Sequence, residues 1–267
     1  MEAELHKKSI TGVKKIIMVV SGKGGVGKST VATNLALTMS LEGYKTGVVD
    51  ADIYGPSIPT MFGMAEERPE LIDLGSGDKY LPIKKFGIEI ISIGNFIDPS
   101  QAVVWRGPLA SKALMDIITN TVWNDIDLLI LDMPPGTSDI HITVAQEYFV
   151  DGAIIVTTPQ KVANIDALKS GMMLKNEHIQ TKILGIVENM SYFETTKLKN
   201  EKFYIFGKGG GEKLARELDT ELLGQIPIIE SICESGDAGN PSNNFSNPLL
   251  KSIYTDLASN IIKKINL

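Results

Sequence analysis

Residues 22–30 constrain the fold of this chain more than any other stretch of its sequence. They read GKGGVGKST and fit the pattern G-x-x-x-x-G-K-[ST]. The apolar run IIMVV, at 16–20, lies just before them, and the helix-forming segment VATNLALTMS follows them directly. A strand, a glycine-rich loop and a helix in this order predict an α/β unit with a cradle for phosphate groups.

The loop contains the residue types that a triphosphate requires. Glycine tolerates positive φ and lets backbone N–H groups approach a ligand closely. Four positions offer this: Gly22, Gly24, Gly25 and Gly27. Lys28 is predicted to bridge the outer phosphates, Ser29 to offer its hydroxyl to Mg²⁺, and Thr30 to add a phosphate contact. A plain glycine turn is the alternative, and the complete motif between strand and helix argues against it.

Three carboxylates are predicted at the same edge of the sheet. Asp50 and Asp52 end a buried run in KTGVVDADIYGPS, and their spacing places both side chains on one side of an extended backbone. Asp132 follows the strand predicted over 128–131 and suits the Mg²⁺ shell, usually through water. Open α/β sheets bind their ligands at the carboxyl ends of strands, which is where these residues are expected.

The sequence after Asp132 predicts a movable turn. Pro134, Pro135 and Gly136 are expected to form a stiff turn, with the glycine N–H near a γ-phosphate. Such a turn can sense the phosphate and move when it leaves. A strand end followed by an ordinary Pro-Pro-Gly turn explains these residues alone equally well.

Apolar runs and helical segments alternate along the whole chain. Strands are predicted at 88–93, 152–158, 182–188 and 221–232, in addition to those already described. The pattern predicts an α/β fold: a mostly parallel sheet with helices on both faces, in a three-layer sandwich. We expect a polar tail over 1–14, a single domain over 15–267, and a surface excursion over 64–81 with a short hairpin leading into 87–92.

Two residues near the ends of later strands are candidates for a base pocket. Asn189 follows the strand over 182–188, where its amide could pair with an adenine edge, although an asparagine there is more often a turn former. Pro227 follows the start of the last predicted strand and could form part of the pocket wall. Residues 209–211, three glycines, are interpreted as the entry to a helix because no lysine and serine follow in the required positions.

Composition excludes several classes of function. A net charge of -6 argues against a nucleic-acid partner bound through bulk charge. The single cysteine, Cys233, excludes an internal disulfide framework. The N-terminus shows no apolar signal region, and no run approaches the ~18 apolar residues of a membrane span. We expect a soluble, cytoplasmic protein.

Six segments, in this order, resemble the Mrp/ApbC family of P-loop ATPases: MVVSGKGGVGKSTVATNLA, VVDADIYGPSIPTMFG, WRGP, DLLILDMPPGTSD, VENMSYF and IFGKGGGEKLA. The resemblance runs from about Ile16 to near the C-terminus, and the wider class includes MinD, ParA and the nitrogenase iron protein. Lys23 gives the loop the deviant form K-G-G-x-G-K-[ST]. The resemblance implies a homodimer with nucleotide at the interface, in which Lys23 reaches the partner's nucleotide.

The resemblance also implies Mg²⁺-dependent ATP hydrolysis, slow without a partner. Lys23 and Lys28 would be catalytic together with Asp52, which would orient or activate the attacking water. Asp50 would support the metal shell of Ser29 and Asp132. A dinucleotide-binding loop is a weaker alternative, because such a loop has no use for the lysine and serine. The predicted ATP-binding residues are Gly22, Lys23, Gly24, Gly25, Val26, Gly27, Lys28, Ser29, Thr30, Gly136, Asn189 and Pro227.

One departure from the family pattern leaves two functions open for this chain. Family members hold an iron–sulfur cluster between subunits through a C-x-x-C pair shortly after ENMSYF, and here Thr195 and Leu198 occupy those positions. Neither side chain supplies the thiolate that such clusters need, so no iron–sulfur ligand is predicted. Two functions stay open: cluster assembly or transfer, with a cysteine-bearing partner, and a cluster-free MinD-like switch acting on a protein client.

Overall fold

The computed structural model describes residues 7–73, 75, 77–96, 107–194 and 201–267, with the backbone alone at 107 and 108. Thr195 and Leu198 lie outside the described residues, as do residues 1–6 of the predicted tail. The strands are β1 (Val13–Ser21), β2 (Thr46–Asp50), β3 (Glu70–Asp73), β4 (Asp78–Leu81), β5 (Ile83–Lys85), β6 (Ile88–Ser92), β7 (Ile126–Pro135), β8 (Gly152–Thr157), β9 (Ile183–Glu188), β10 (Phe193–Glu194), β11 (Lys202–Phe203) and β12 (Leu222–Gln225).

Eight of these strands form one sheet in the order β12-β9-β8-β1-β7-β2-β6-β5. Every neighbouring pair is parallel except the edge pair of β5 and β6. The helices are α1 (Lys28–Leu41), α2 (Ile58–Met61), α3 (Gly107–Asn120), α4 (Asp139–Glu147), α5 (Lys161–Leu174), α6 (Gly210–Glu217), α7 (Glu230–Asp237) and α8 (Pro248–Ile265). The predicted mostly parallel α/β fold is confirmed.

Helices cover both faces of the sheet and create two cores. Residues of α3, α4 and α6 pack on one face, and residues of α1 and α8 pack on the other. Central strands therefore have no solvent face, which explains their continuous rather than alternating apolar sequence. In β8, for example, all six residues are buried. Within the described ranges, none of the helices has the length and apolarity needed to cross a bilayer.

The strand order decides which side chains meet at the carboxyl edge of the sheet. β7 lies between β1 and β2, and its Asp132 pairs in register with Val19 on one side and with Asp50 on the other. The loop over 22–27 leaves β1 at this edge and leads into α1. The loop and the acidic residues, which are far apart in sequence, therefore meet at one place.

Three regions differ in detail from the sequence-based expectations. The described part of the predicted tail packs on the domain: the Lys8 N–H donates to the Glu147 carbonyl at 2.7 Å, and Ile10 is buried. The excursion over 64–81 starts in the core, at buried Met64, and then forms the antiparallel pair β3–β4. The strand predicted over 221–232 ends at Gln225, and α7 begins at Glu230. Division into a tail and one domain stays a prediction.

Candidate functional site

Lys28, the first residue of α1, is the centre of a buried charged group. Its ammonium donates to Asp132 Oδ1 at 2.6 Å and to Ser29 Oγ at 3.1 Å, and it lies 3.8 Å from Asp52 Oδ2. The Lys28 side chain is only 6% exposed and Asp132 is fully buried. An ion pair so far from water is a strong local interaction that also needs both partners present. The structure thus brings together four residues that the sequence predicted for one site.

Two carboxylate oxygens in this group have no hydrogen-bond partner among the described residues: Asp52 Oδ1 and Asp132 Oδ2. Burial raises the pKa of both carboxyls, and the positive charge of Lys28 opposes that rise. Unpartnered buried carboxylate oxygens beside a serine hydroxyl are the donor set that a hard divalent cation prefers. The residues therefore fit the predicted magnesium.

Asp50 has a different environment from Asp52. Its Oδ1 accepts from the Asp52 N–H at 3.1 Å, and its Oδ2 accepts from the Ile58 N–H at 3.2 Å and from Ser92 Oγ at 2.9 Å. Both oxygens are thus engaged by protein donors, and burial raises the pKa of Asp50 to about 7. In this arrangement Asp50 positions the loop that presents Asp52, and its predicted support of the metal shell stays a prediction.

The glycines of the loop serve two separate purposes. A Cβ at Gly22 would overlap the backbone of Asp166 in α5, and one at Gly27, where φ is +83°, would overlap the Asn189 amide. An added Cβ at Gly24 or Gly25 would meet no atom within 4 Å. Gly22 and Gly27 permit close packing of the loop on its neighbours, whereas Gly24 and Gly25 leave open space where phosphates would lie.

Lys23 lies in this open part of the loop. Its carbonyl accepts from Ser21 Oγ at 3.1 Å, which holds its backbone to the end of β1. The residue is partly exposed. The side chain is therefore free of the buried charged group around Lys28, and a role across a dimer interface stays a prediction.

Asn189 holds the loop directly. Its Nδ2 donates to the Val26 carbonyl at 2.9 Å, and the residue is 6% exposed. The sequence offered two roles for Asn189, an adenine contact and a turn former. The structure shows a third role, which is support for the phosphate loop. The signal in the sequence was its place at the end of β9, but the choice of partner depends on the strand order.

A cavity of about 700 Å³ adjoins the loop. Gly27, Thr30, Asn189 and Pro227 line it, so the two predicted base-pocket residues lie on the same cavity as the start of α1. Ile229 and Ile232 add apolar surface. Its size and mainly apolar walls with a few polar groups suit a small-molecule ligand such as a nucleoside.

The turn predicted to begin at Pro134 begins later in the structure, so its predicted start is wrong. β7 continues through Pro135, which pairs in register with Ser21, and the chain turns only at Gly136, where φ is +83°. The Gly136 N–H donates to the Ser21 carbonyl at 2.8 Å. A proline pair can extend the strand here because pairing with β2 ends at Asp132 and the pairing with β1 shifts register between Val19 and Ser21, so the missing proline N–H groups interrupt no regular ladder. The contact of Gly136 with a γ-phosphate stays a prediction.

Sequence reasoning missed two buried polar residues near the site. His141, in the first turn of α4, is fully buried; its Nδ1 accepts from the Ser138 N–H at 3.3 Å, and burial lowers its pKa to about 4. Glu188, at the end of β9, accepts from Ser191 Oγ at 2.7 Å, from Gln225 Nε2 at 2.8 Å and from the Gly211 N–H. The spacing of Ser138 and His141 resembles a capping box and was the available signal for the histidine.

Comparison with known proteins shows the family of this chain. The family model described as NUBPL iron-transfer P-loop NTPase, in the ParA group, matches residues 12–265. Iron-sulfur cluster carrier proteins of Salmonella typhimurium and Escherichia coli K12 are each 48% identical over 262 residues, which is 97% of this chain and 69% of theirs. The Aquifex aeolicus carrier protein is 46% identical over 237 residues, covering 88% of this chain and 63% of its own length.

Solved structures show the same architecture. The nucleotide-binding protein of Archaeoglobus fulgidus, in complex with ADP, is 35% identical with a TM-score of 0.74 and covers 86% of this chain and 88% of its own. The cell division ATPase MinD of Pyrococcus furiosus, 21% identical with a TM-score of 0.63, shares the fold over 93% of this chain and 98% of its own. The chain therefore belongs to the family of NUBPL iron-transfer P-loop NTPases, as its resemblance to Mrp/ApbC sequences predicted.

Proposed function

We propose that this chain is a Mg²⁺-dependent ATPase that works as a homodimer and acts in iron–sulfur cluster assembly or transfer. The observation that carries the proposal is the buried group of Lys28, Asp52 and Asp132 beside an open glycine loop. The names of the relatives, iron-sulfur cluster carrier proteins, support the role in cluster transfer. The ADP complex of the Archaeoglobus protein supports the nucleotide.

Lys28 changes partners when the triphosphate enters. The carboxylates of Asp52 and Asp132 compensate its charge in the structure. The outer phosphates bring equivalent negative charge, so the ammonium can leave Asp132 Oδ1 for phosphate oxygens without becoming an unpaired buried cation. The loop N–H groups then add donors around the same phosphates and stabilise the charge of the transferring group.

Release of Asp132 prepares the metal site. Ser29 Oγ and, through water, Asp132 would hold Mg²⁺, which when bound neutralises negative charge on the phosphates. Asp52 Oδ1, which has no partner among the described residues, is free to accept a proton from the attacking water or to orient it. The tether of its backbone to Asp50 keeps that carboxylate at the edge of the site.

The dimer is tested through Lys23. We expect Lys23→Ala to retain ATP binding, because the residue lies outside the buried group, and to lose most of its hydrolysis, because the second charge at the partner's site is missing. Equilibrium binding of a fluorescent ATP analogue and steady-state phosphate release measure the two properties. Lys45→Ala, at an exposed lysine before β2, is the control. Undiminished turnover in Lys23→Ala would refute the shared site.

The cargo is a separate question, because one observation favours a cluster-free switch acting on a protein client. Cys233, exposed on α7, is the single cysteine of the sequence, so a dimer has two thiols where a cluster takes four ligands. Anaerobic reconstitution with iron and sulfide, followed by visible absorption, separates the functions. A variant with Thr195→Cys and Leu198→Cys serves as the positive control. Iron bound by this control and not by the natural chain would favour the switch, or a cysteine-bearing partner.

A further inference from the structure

A second concave surface lies between α5 and α6, and we name it the α5–α6 groove. It has a volume of about 340 Å³, and Ile165, Leu168 and Leu214 provide apolar lining. Lys161 and Lys208 line it as well, together with Lys213. Nothing in the nucleotide mechanism uses these residues.

The outer face of α5 next to this groove is unusually apolar. Val162 is 63% exposed, Ile165 is 48% exposed and Met172 is 59% exposed. Their spacing of three and seven residues places them on one side of the helix. A surface helix normally turns charged or polar residues toward water, so three exposed apolar residues on one side of α5, with exposed Lys169 between them, mark this side as a candidate surface for interaction.

The charge of the groove is opposite to that of the whole chain. The chain has a net charge of -6, whereas three lysines and one acidic residue, Glu217, line the groove. Glu217 is 3.7 Å from Lys213. Within the described ranges, Lys161 and Lys208 form no ion pair, and the Lys208 ammonium lies 4.8 Å from the Tyr204 ring centre. The groove therefore presents cations that a ligand can still neutralise.

We propose that the α5–α6 groove binds an acidic segment of a partner protein that also carries apolar side chains. Carboxylates pair with the lysines, and an apolar side chain covers Ile165 and Leu168. Nucleic acid would need a longer basic surface to neutralise successive phosphates, and an anionic membrane would need a more extensive cluster of lysines. The proposal does not depend on ATP hydrolysis or on cluster transfer.

The helix that lines the groove also contacts the phosphate loop, through a different side. The backbone of Asp166, in the middle of α5, packs so closely on Gly22 that no Cβ fits between them. A segment bound along α5 would therefore lie on the helix that contacts the nucleotide loop. Such a segment would not block the 700 Å³ cavity, which has different lining residues.

The test starts from random linear peptides displayed on phage and selected on the intact chain. Enriched peptides are synthesised, and their affinities are measured by fluorescence anisotropy for the natural chain and for a variant with Lys161→Glu, Lys208→Glu and Lys213→Glu. We expect acidic peptides with apolar residues, and roughly a tenfold or larger loss of affinity in the variant, because each rim attraction becomes a repulsion. Ile165→Ser should weaken the same peptides.

A matched variant carries the same change in net charge at exposed lysines elsewhere: Lys45→Glu, Lys251→Glu and Lys263→Glu. It should bind the peptides with unchanged affinity. If the triple groove variant fails to fold by circular dichroism, the single change Lys208→Glu is measured instead, with a loss of about threefold expected.

Three results would overturn the proposal. The first is selection of peptides without acidic residues, or equal loss of affinity in the matched variant. The second is binding of a DNA oligonucleotide or of phosphatidylserine vesicles that the groove variant loses while peptide binding is unaffected. The third is loss of self-association in the groove variant by light scattering with no peptide selected, which would make a second copy of the chain the occupant.

Discussion

Two regions at the carboxyl edge of the sheet show opposite physical character. The loop after β1 surrounds a buried ammonium held by two carboxylates, whereas the β10–β11 pair after β9 presents Phe193 and Phe203 to solvent at 36% and 40% exposure. A buried charge requires specific compensating partners, so few side chains are acceptable at the first region. Exposed residues face no such requirement. The two regions therefore differ in how strongly the surrounding structure restricts the choice of side chain.

The largest effect is expected from Lys28→Ala. Loss of the cation leaves Asp132 and Asp52 buried beside each other without compensation, which should cost about 3–5 kcal/mol of folding free energy near neutral pH. ATP binding should disappear as well. Urea unfolding and analogue binding measure the two effects. Phe203→Ser is the comparison from the exposed region, and a smaller loss of stability in Lys28→Ala than in that variant would invalidate the contrast.

The next largest effect concerns pH and His141. Burial lowers its pKa to about 4 from 6.5, so between these values the unfolded chain binds a proton that the folded chain does not. Stability from this group is complete above about pH 6.5 and falls as pH decreases toward 4, by up to about 3 kcal/mol. His141→Gln should flatten this limb of the stability profile. Urea midpoints across the range provide the measurement, with His178→Gln, an exposed histidine, as control; an unchanged slope would contradict the assignment.

A smaller effect should follow Asn189→Ala. The change removes the donor to the Val26 carbonyl and leaves that buried acceptor unsatisfied, a cost of about 1–2 kcal/mol. Because this contact holds the phosphate loop, ATP affinity should decrease roughly tenfold, in line with the free energy. Isothermal calorimetry measures it. Asn243→Ala, at an exposed asparagine, should have the natural affinity, and equal affinity in the two variants would show that Asn189 does not support the loop.

The smallest effect is expected from Phe203→Ser on the exposed strand pair. A half-exposed ring contributes little to the core, so folding free energy should change by about 0.5 kcal/mol or less, and ATP binding should be unchanged. Thermal unfolding with and without nucleotide tests both statements. A large loss of nucleotide affinity would show that the two regions are energetically coupled and would remove the separation drawn between them.

The roles of site residues could be predicted from the sequence where those residues are neighbours in one motif. Lys28 and Ser29 belong to one continuous motif, and the apolar runs on both sides of it define β1 and α1 before any tertiary information. Pro134 and Pro135 show where local reasoning fails. The two prolines suggested a turn. They instead extend β7, because the end of β1 lies alongside and Ser21 pairs with Pro135 after a shift in register. The packing of a neighbouring strand overrode the local preference.

By itself, the sequence determined the α/β fold, the position of the phosphate loop, and the identity of its lysine and serine, because periodicity and a short motif encode them locally. Tertiary structure alone decided that Asp132 pairs with Lys28 while Asp50 tethers a loop, that Asn189 binds the Val26 carbonyl, and that lysines of α5 and α6 share a groove. The contacts of Lys28 with Asp132 and of Asn189 with Val26 depend on the order of strands in the sheet, which brings together residues separated by more than a hundred positions. Such long-range contacts have no local signature in the sequence.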